Sequence, residues 1–231
     1  MRIGNYIKIK DEIDYFVSFG LNCCSGIVLQ NTKLRKEALP FDNIVSSPKV
    51  IYDCLINNFK DFTEFNDKNE FLTIDSNIKR LFELSNTDLT KHTNNYGIYF
   101  NHYLNRDIND IKNTFTRRID RFFNLLKTCK KIVFIYSTEL CIYDSKFRED
   151  QNEYYNYLIK IQDFLLENFK DLNFKILCFN CNVTHVNTSN IYNIDVLIEK
   201  NKISDNWETH DIVYPEYRLL IENAVNNIFN N

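Results

Sequence analysis

Glycine and proline are nearly missing from this chain, with 4 and 3 copies in 231 residues. Gly4, Gly20, Gly26 and Gly97 do not fall at the spacing of G-x-G-x-x-G or of a Walker loop. Nucleotide binding through those phosphate cradles is therefore excluded. No stretch approaches the roughly 18 uninterrupted apolar residues of a membrane span, so no membrane partner is expected. Neither sign of charge dominates: 28 Lys and Arg face 31 Asp and Glu, a net charge of −3. That balance leaves no overall electrostatic footprint for nucleic acid. The opening stretch MRIGNYIKIKDEID has no apolar core before its charges, so no secretory signal is read from it. A disulfide framework is not expected either. Cys23, Cys24, Cys54, Cys129, Cys141, Cys178 and Cys181 are odd in number and irregularly spaced. They are read as reduced thiols of a cytoplasmic protein.

What the chain does have is 44% hydrophobic and 26% charged residues, the balance of a globular protein. Tyr15–Phe19 is a short apolar run ended by Gly20, a buried strand. Ser25–Asn31 reads as a first helix, with Asn22 and Ser25 as natural caps. LPFDN at 39–43 is a turn. Ser47 and Pro48 open a second helix whose stripe is Val50, Ile51, Cys54, Leu55 and Phe59. From Asp107 to Lys127, apolar residues recur at steps of three and four. The spacing predicts strands at 130–137, 173–180 and 191–198, and helices at Glu153–Phe169 and Pro215–Phe229, with Pro215 near the first turn of the last. Strands alternating with helices imply an α/β fold. The expected architecture is one three-layer domain over 1–231, a mostly parallel sheet flanked by helices. A polar insertion falls at 60–96, with room for a short helix around Ile78–Leu84.

Open parallel sheets bind ligands outside the carboxyl ends of their strands. Gly20–Cys24 follows the first strand, so position alone makes it a candidate site. A thiol at a helix N-terminus meets unpaired amides and the positive end of the dipole, which favour the thiolate. Its base is usually a histidine, and the chain offers His92, His102, His185 and His210. Buried packing is the competing reading for both thiols, cysteine being among the most buried residue types. Cys178, Cys181 and His185 form C-x2-C-x3-H, but a structural zinc needs four ligands and no second pair lies near. No metal and no cofactor are expected. Arg117, Arg118 and Arg121 share about one helical turn, either a solvated face or an anion-binding one.

Two blocks carry a family resemblance. VSFGLNCCSGIVLQNTKLRKEALPFDNIVSSPKVIYDCLINNFKDF at 17–62 and YFNHYLNRDINDIKNTFTRRIDRFFNLL at 99–126 resemble a domain family of unknown function grouped as papain-like cysteine peptidases. Gly20, Asn22 and Cys23 match its Gly-x-Asn/Asp-Cys element, and Pro40, Phe41 and Asp42 its Pro-Phe-Asp-Trp. The family's Trp is Asn43 here. His102 matches the family histidine, Tyr103 replaces the acidic residue common after it, and Arg117 and Arg118 match a basic pair. The match covers roughly the first 140 residues. It implies acyl transfer on an amide or ester bond, with Cys23 as nucleophile and His102 as base. Asp42 is then the matched carboxylate for orienting His102, or the residue that closes its own turn. Gly20, Asn22 and Cys24 would line the site, with backbone amides or Asn22 holding an oxyanion. The implied partner is a peptide or small-molecule substrate.

Papain-like peptidases carry their cysteine on a central helix against an antiparallel barrel, whereas this chain reads as a parallel sheet. A nucleophile on a strand-to-helix turn is more like an SGNH-type esterase or transferase with cysteine for serine, acting on a glycan or another non-peptide substrate. In DNWETHDIVYPEY, His210 and Asp211 precede the last helix, where such enzymes keep their His and Asp, and Trp207 lies beside them. His210 is thus the alternative base. A binding protein on the same fold is the third reading. The separation of Cys23 from His102 discriminates among these possibilities.

Overall fold

A computed structural model describes residues 1–4, 7–60, 62–64, 98, 101–103, 106–203 and 210–229. The insertion expected at 60–96, with the helix considered at Ile78–Leu84, lies outside the described residues apart from Lys60 and 62–64.

The described residues form one α/β domain. Its sheet is built from β1 (Arg2–Ile3), β2 (Tyr15–Ser18), β3 (Lys131–Ser137), β4 (Asn173–Cys181) and β5 (Ile191–Leu197). The order is β1-β5-β4-β3-β2, parallel throughout except for β1, which runs antiparallel to β5. The helices are α1 (Cys24–Asn31), α2 (Pro48–Ile56), α3 (Ile108–Thr128), α4 (Ser145–Glu149), α5 (Gln151–Asn168) and α6 (His210–Phe229).

Helix starts follow the capping residues. The Ser47 side chain accepts from the Val50 amide, with Pro48 at the first helical position. Asp107 likewise caps α3, its Oδ1 accepting from the Asn109 amide at 2.8 Å. Two departures from the expected pattern have local causes. Helix α6 begins at His210, so Pro215 lies within it rather than in its opening turn. A proline there forfeits its N–H bond to the carbonyl a turn earlier, and its ring crowds that carbonyl. The segment 182–190 carries no helix, although it joins two parallel strands. Asn182, at φ 53°, turns the chain, and side chains then pin the connection: Thr184 Oγ1 donates to Asp195 Oδ2 at 3.0 Å, and Asn187 Oδ1 accepts from the Asn193 amide at 2.7 Å.

Alternation along the strands separates two buried faces. Phe16 meets Phe229 of α6 edge-on at 4.8 Å on one face. On the other, Phe134 stacks on Phe19 at 4.3 Å, and Phe19 reaches Phe122 of α3 at 6.5 Å. Phe41, Phe59 and Phe62 close that cluster. Helices thus cover both faces, giving three layers. Phe122 is fully buried and packs against Phe19, Phe41, Phe59 and Phe123. Phe122→Ala should cost about 3–5 kcal/mol in urea denaturation, because a cavity forms that rigid neighbouring rings cannot fill.

Candidate functional site

The first strand hands over to the first helix within five residues. The Phe19 amide still joins the ladder, donating to Ile135 O at 2.8 Å. Gly20 then lets the chain fold back on itself. A Cβ there would lie 2.2 Å from Asn22 O and 2.8 Å from Ser25 Oγ, distances no side chain tolerates. Ser46 Oγ ties the turn from outside by donating to Gly20 O at 3.1 Å.

Capping at this turn differs from the expected Asn22 or Ser25. Cys23 is the N-cap residue, and its side chain makes no capping bond. Asn22 Oδ1 instead accepts from the Cys23 amide at 2.7 Å. Ser25 Oγ is drawn away to Ser137 Oγ at 3.3 Å, across to the end of β3. The two adjacent thiols are not equivalent. Cys24 is 0% exposed, whereas Cys23 is partly exposed, with its Sγ 3.8 Å from the hydroxyl of Tyr214 on α6.

Behind the turn sits Glu139, fully buried two residues after β3 ends. Its Oε2 accepts from Ser137 Oγ at 2.7 Å, which completes a Ser25–Ser137–Glu139 chain. Its Oε1 is buried with no hydrogen-bond partner among the described residues. Burial pushes the carboxyl up to about 7, against the Ser137 hydroxyl and nearby amides that favour its charge. Burial, and then the Glu139 charge, push the Cys23 thiol up to about 11, while the Tyr214 hydroxyl pulls it back. Cys23 therefore rests as a thiol, not a thiolate. Its place at a helix start does not outweigh desolvation.

The Pro-Phe-Asp turn lies against α1. Gly26 faces Asp42 so closely that a Cβ would come within 3.4 Å of its Cα and Oδ1. Asp42 Oδ2 accepts from the Leu39 amide at 3.0 Å and lies 3.7 Å from Arg35 Nη1. Burial raises its carboxyl to about 6 despite Arg35 and Arg118. The carboxyl thus closes its own turn.

His102 is exposed on a short 3-10 turn, Asn101–Tyr103, just before α3. Partial desolvation pulls its imidazole below the ordinary value. Among the described residues, no hydrogen bond joins His102 to Cys23 or to Asp42. Tyr103, which stands where the family has an acidic residue, packs edge-on against Phe115 at 5.3 Å. Arg118 covers Phe115 at 4.9 Å and Tyr103 at 5.6 Å, while Arg117 is exposed. The basic pair is therefore split between a stacked guanidinium and a solvated one.

His210 and Asp211 open α6, and their side chains, like the whole of Trp207, lie outside the described residues. His210 precedes Tyr214 by one helical turn. Cys178 is buried in β4, Cys181 Sγ donates to Thr138 O at 3.3 Å, and His185 stacks on Tyr155 at 4.3 Å. Among the described residues no group of three such side chains is placed to hold a metal ion. No described helix is long and apolar enough to cross a membrane.

Glu139, Ser137 and Tyr214 were missed in the sequence. The rule that singled out Cys23 applies equally to KKIVFIYSTEL, where Glu139 follows a strand end. Tyr214 carries no local signal.

With this geometry in place, comparison with known proteins decides the family. Residues 14–184 match the family described as "Putative papain-like cysteine peptidase (DUF1796)". The chain belongs to this family. It is also 30% identical over 234 residues to "Uncharacterized protein R408" of Acanthamoeba polyphaga mimivirus, an alignment covering 88% of this chain and 96% of that protein. No solved structure matches the chain. In this member of the DUF1796 family, the Gly-x-Asn-Cys element is a strand-to-helix turn at the carboxyl end of β2, in the parallel part of the sheet.

Proposed function

We propose that the protein is a cysteine-dependent hydrolase or acyl transferase in which the Cys23 thiol attacks an amide or ester carbonyl of a peptide or small-molecule substrate. The observation that carries this reading is the position of Cys23: a partly exposed thiol on the first strand-to-helix turn, beside the Tyr214 hydroxyl. Burial keeps the thiol protonated at neutral pH, so attack must be coupled to proton removal, as with a serine nucleophile. The S–C bond forms as the thiol proton passes to an imidazole, and the carbonyl oxygen takes the charge. Collapse breaks the C–N or C–O bond, and the imidazolium returns the proton to the leaving amine or alcohol. Water or another acceptor then releases the acyl group and restores the thiol. The Cys23 amide is held by Asn22 Oδ1, so the Asn22 amide nitrogen is the donor offered to the oxyanion.

His210 is the base in the leading version, because it lies one turn before the tyrosine that touches Cys23. Asp42 holds its own turn. His102 is the base in the second version; its lowered proton affinity leaves it neutral and able to accept a proton near pH 7. Incubation with p-nitrophenyl acetate, a generic activated ester, should acetylate Cys23, located by peptide mass spectrometry. His210→Ala should slow acetylation about 100-fold and His102→Ala should leave it near the wild-type rate. The reverse pattern moves the base to His102. Absence of Cys23 acetylation, with ordinary slow alkylation of that thiol, would make the protein a binding module on this fold.

A further inference from the structure

The last turns of α3 and α5 and the turn after α2 enclose an open groove of about 570 Å³. It lies toward the amino ends of the strands, the opposite edge of the sheet from Cys23. Sites for small ligands run to roughly 300–1,000 Å³. Asp120, Phe123, Asn124 and Lys127 fall at steps of three and four, so α3 presents them as one stripe. Phe123 is half-buried, and Phe164 and Phe169, 6.3 Å apart, line the groove from the end of α5. The third wall is built at a conformational cost. Asn58 and Phe59 take φ 51° and 55°, left-handed values that bulky residues rarely adopt. That turn exposes Asn58 on the rim and sets Phe59 edge-on behind Phe123 at 5.6 Å.

The polar groups of the groove are open to solvent and largely unspent. Asp120 and Lys127, both exposed, enter no ion pair and no side-chain hydrogen bond among the described residues. The same holds for the carboxamides of Asn58 and Asn124. Asn168 donates through Nδ2 to Phe164 O at 2.8 Å, which leaves its Oδ1 as an acceptor. Neighbouring Arg121 is by contrast already paired with Glu37. Asp120 and Lys127 are two helical turns apart, about 10.5 Å along the axis, too far to pair with each other.

The groove thus has a negative end, a positive end and an aromatic floor between carboxamides. An aliphatic acid has no group for Asp120, and a simple amine has none for Lys127. A single amino acid carries both charges, but too close together to reach both ends. An extended chain spans about 3.3–3.6 Å per residue, so three residues set a free ammonium and a free carboxylate about 10 Å apart. Their peptide groups offer both donors and acceptors to the asparagines. An apolar side chain at the centre covers the phenylalanine floor. We propose that this groove binds a free-ended tripeptide with an apolar central residue, its ammonium on Asp120 and its carboxylate on Lys127. Peptide-bond hydrolysis, by whichever enzyme, is the class of reaction that supplies such a ligand.

Saturation-transfer NMR titrations with Ala-Phe-Ala, its N-acetyl form, its C-terminal amide and Ala-Gly-Ala test this directly. Wild-type protein should bind Ala-Phe-Ala saturably. Ala-Gly-Ala, without the apolar centre, should bind about tenfold more weakly. Each blocked form should bind about threefold more weakly, the worth of one exposed charge pair. Lys127→Gln should weaken Ala-Phe-Ala by about threefold yet leave the affinity of the C-terminal amide unchanged. Asp120→Asn should likewise weaken the free peptide and leave the N-acetyl form unchanged. Both side chains are exposed, so both variants should fold as wild type does. Cys23→Ser should bind Ala-Phe-Ala as wild type does, so loss of the acyl-transfer reading would leave this result untouched. No saturable binding, equal binding of free and blocked peptides, or variant losses that simply add to those of blocking would each overturn the proposal. So would a dimer in sedimentation that Lys127→Gln disperses, which would give the groove to a second copy of this chain.

Discussion

Glu139→Gln should raise stability at pH 8 by about 3 kcal/mol and leave it nearly unchanged at pH 4.5. The sign follows from the direction of the shift. Burial lifts the Glu139 carboxyl from 4.5 to about 7, so between those values the folded protein binds a proton that the unfolded chain has released. Stability therefore falls as pH rises through that window, and the full cost is present above it. A glutamine can still accept from Ser137 while removing the charge. Urea denaturation of both proteins at pH 4.5, 6 and 8 should show a gap that opens with pH, worth several degrees in Tm for a chain of this size. The wild-type background falls between pH 4 and 6 as well, because Asp42 is raised to about 6 by the same cause; the variant should keep that part of the slope. Removing the negative charge should also lower the Cys23 pKa and speed its alkylation at pH 8, since Glu139 is among the groups that hold the thiol up. A variant no more stable than wild type at pH 8 would mean that the carboxylate is compensated in solution, and the sign of the argument would fail.

Gly20→Ala should destabilise the fold by about 3 kcal/mol and lower Cys23 acetylation steeply, while Gly26→Ala should change stability by less than about 1 kcal/mol. The contrast comes from what each new methyl group would meet. At Gly20 the obstacle at 2.2 Å is the backbone oxygen of Asn22, which cannot swing aside without opening the turn that carries Cys23. At Gly26 the closest atoms of Asp42 are at 3.4 Å, ordinary contact after a slight adjustment, and alanine favours the helix. Paired denaturation curves decide it. Equal costs at the two positions would show that the turn is softer than its close contacts imply.

Much of this architecture was legible before any coordinates. The α2 start at Ser47–Pro48, the α3 stripe of Ile111, Phe115, Phe122 and Leu126, and the β3 and β4 runs are local signals, and they fall where periodicity and caps place them. Non-local features were not legible. Arg2–Ile3 pairs with Val196–Leu197, and two residues leave no period to read. The connection at 182–190 depends on Thr184 and Asn187 bonding to β5 and on Asn182 bonding to Ile198 just beyond it, contacts no spacing rule anticipates. At the site, Cys23 stood out because Gly20 and its neighbours mark a strand end. The Ser25–Ser137–Glu139 chain did not, because it joins residues more than a hundred positions apart.

The strand lengths carry a last consequence. The long apolar strands β3 and β4 lie inside the sheet, while its rims are the four-residue β2 and, on the other side, β5, which β1 pairs only at Val196 and Leu197. On that second rim the outward amides of Ile191 and Asn193 are already taken by Thr188 Oγ1 and Asn187 Oδ1, which leaves few backbone groups for another chain to zip onto. Fibril-like growth by strand addition is thereby discouraged in a chain rich in phenylalanine and tyrosine, and any self-association of the folded protein is directed to its helical faces.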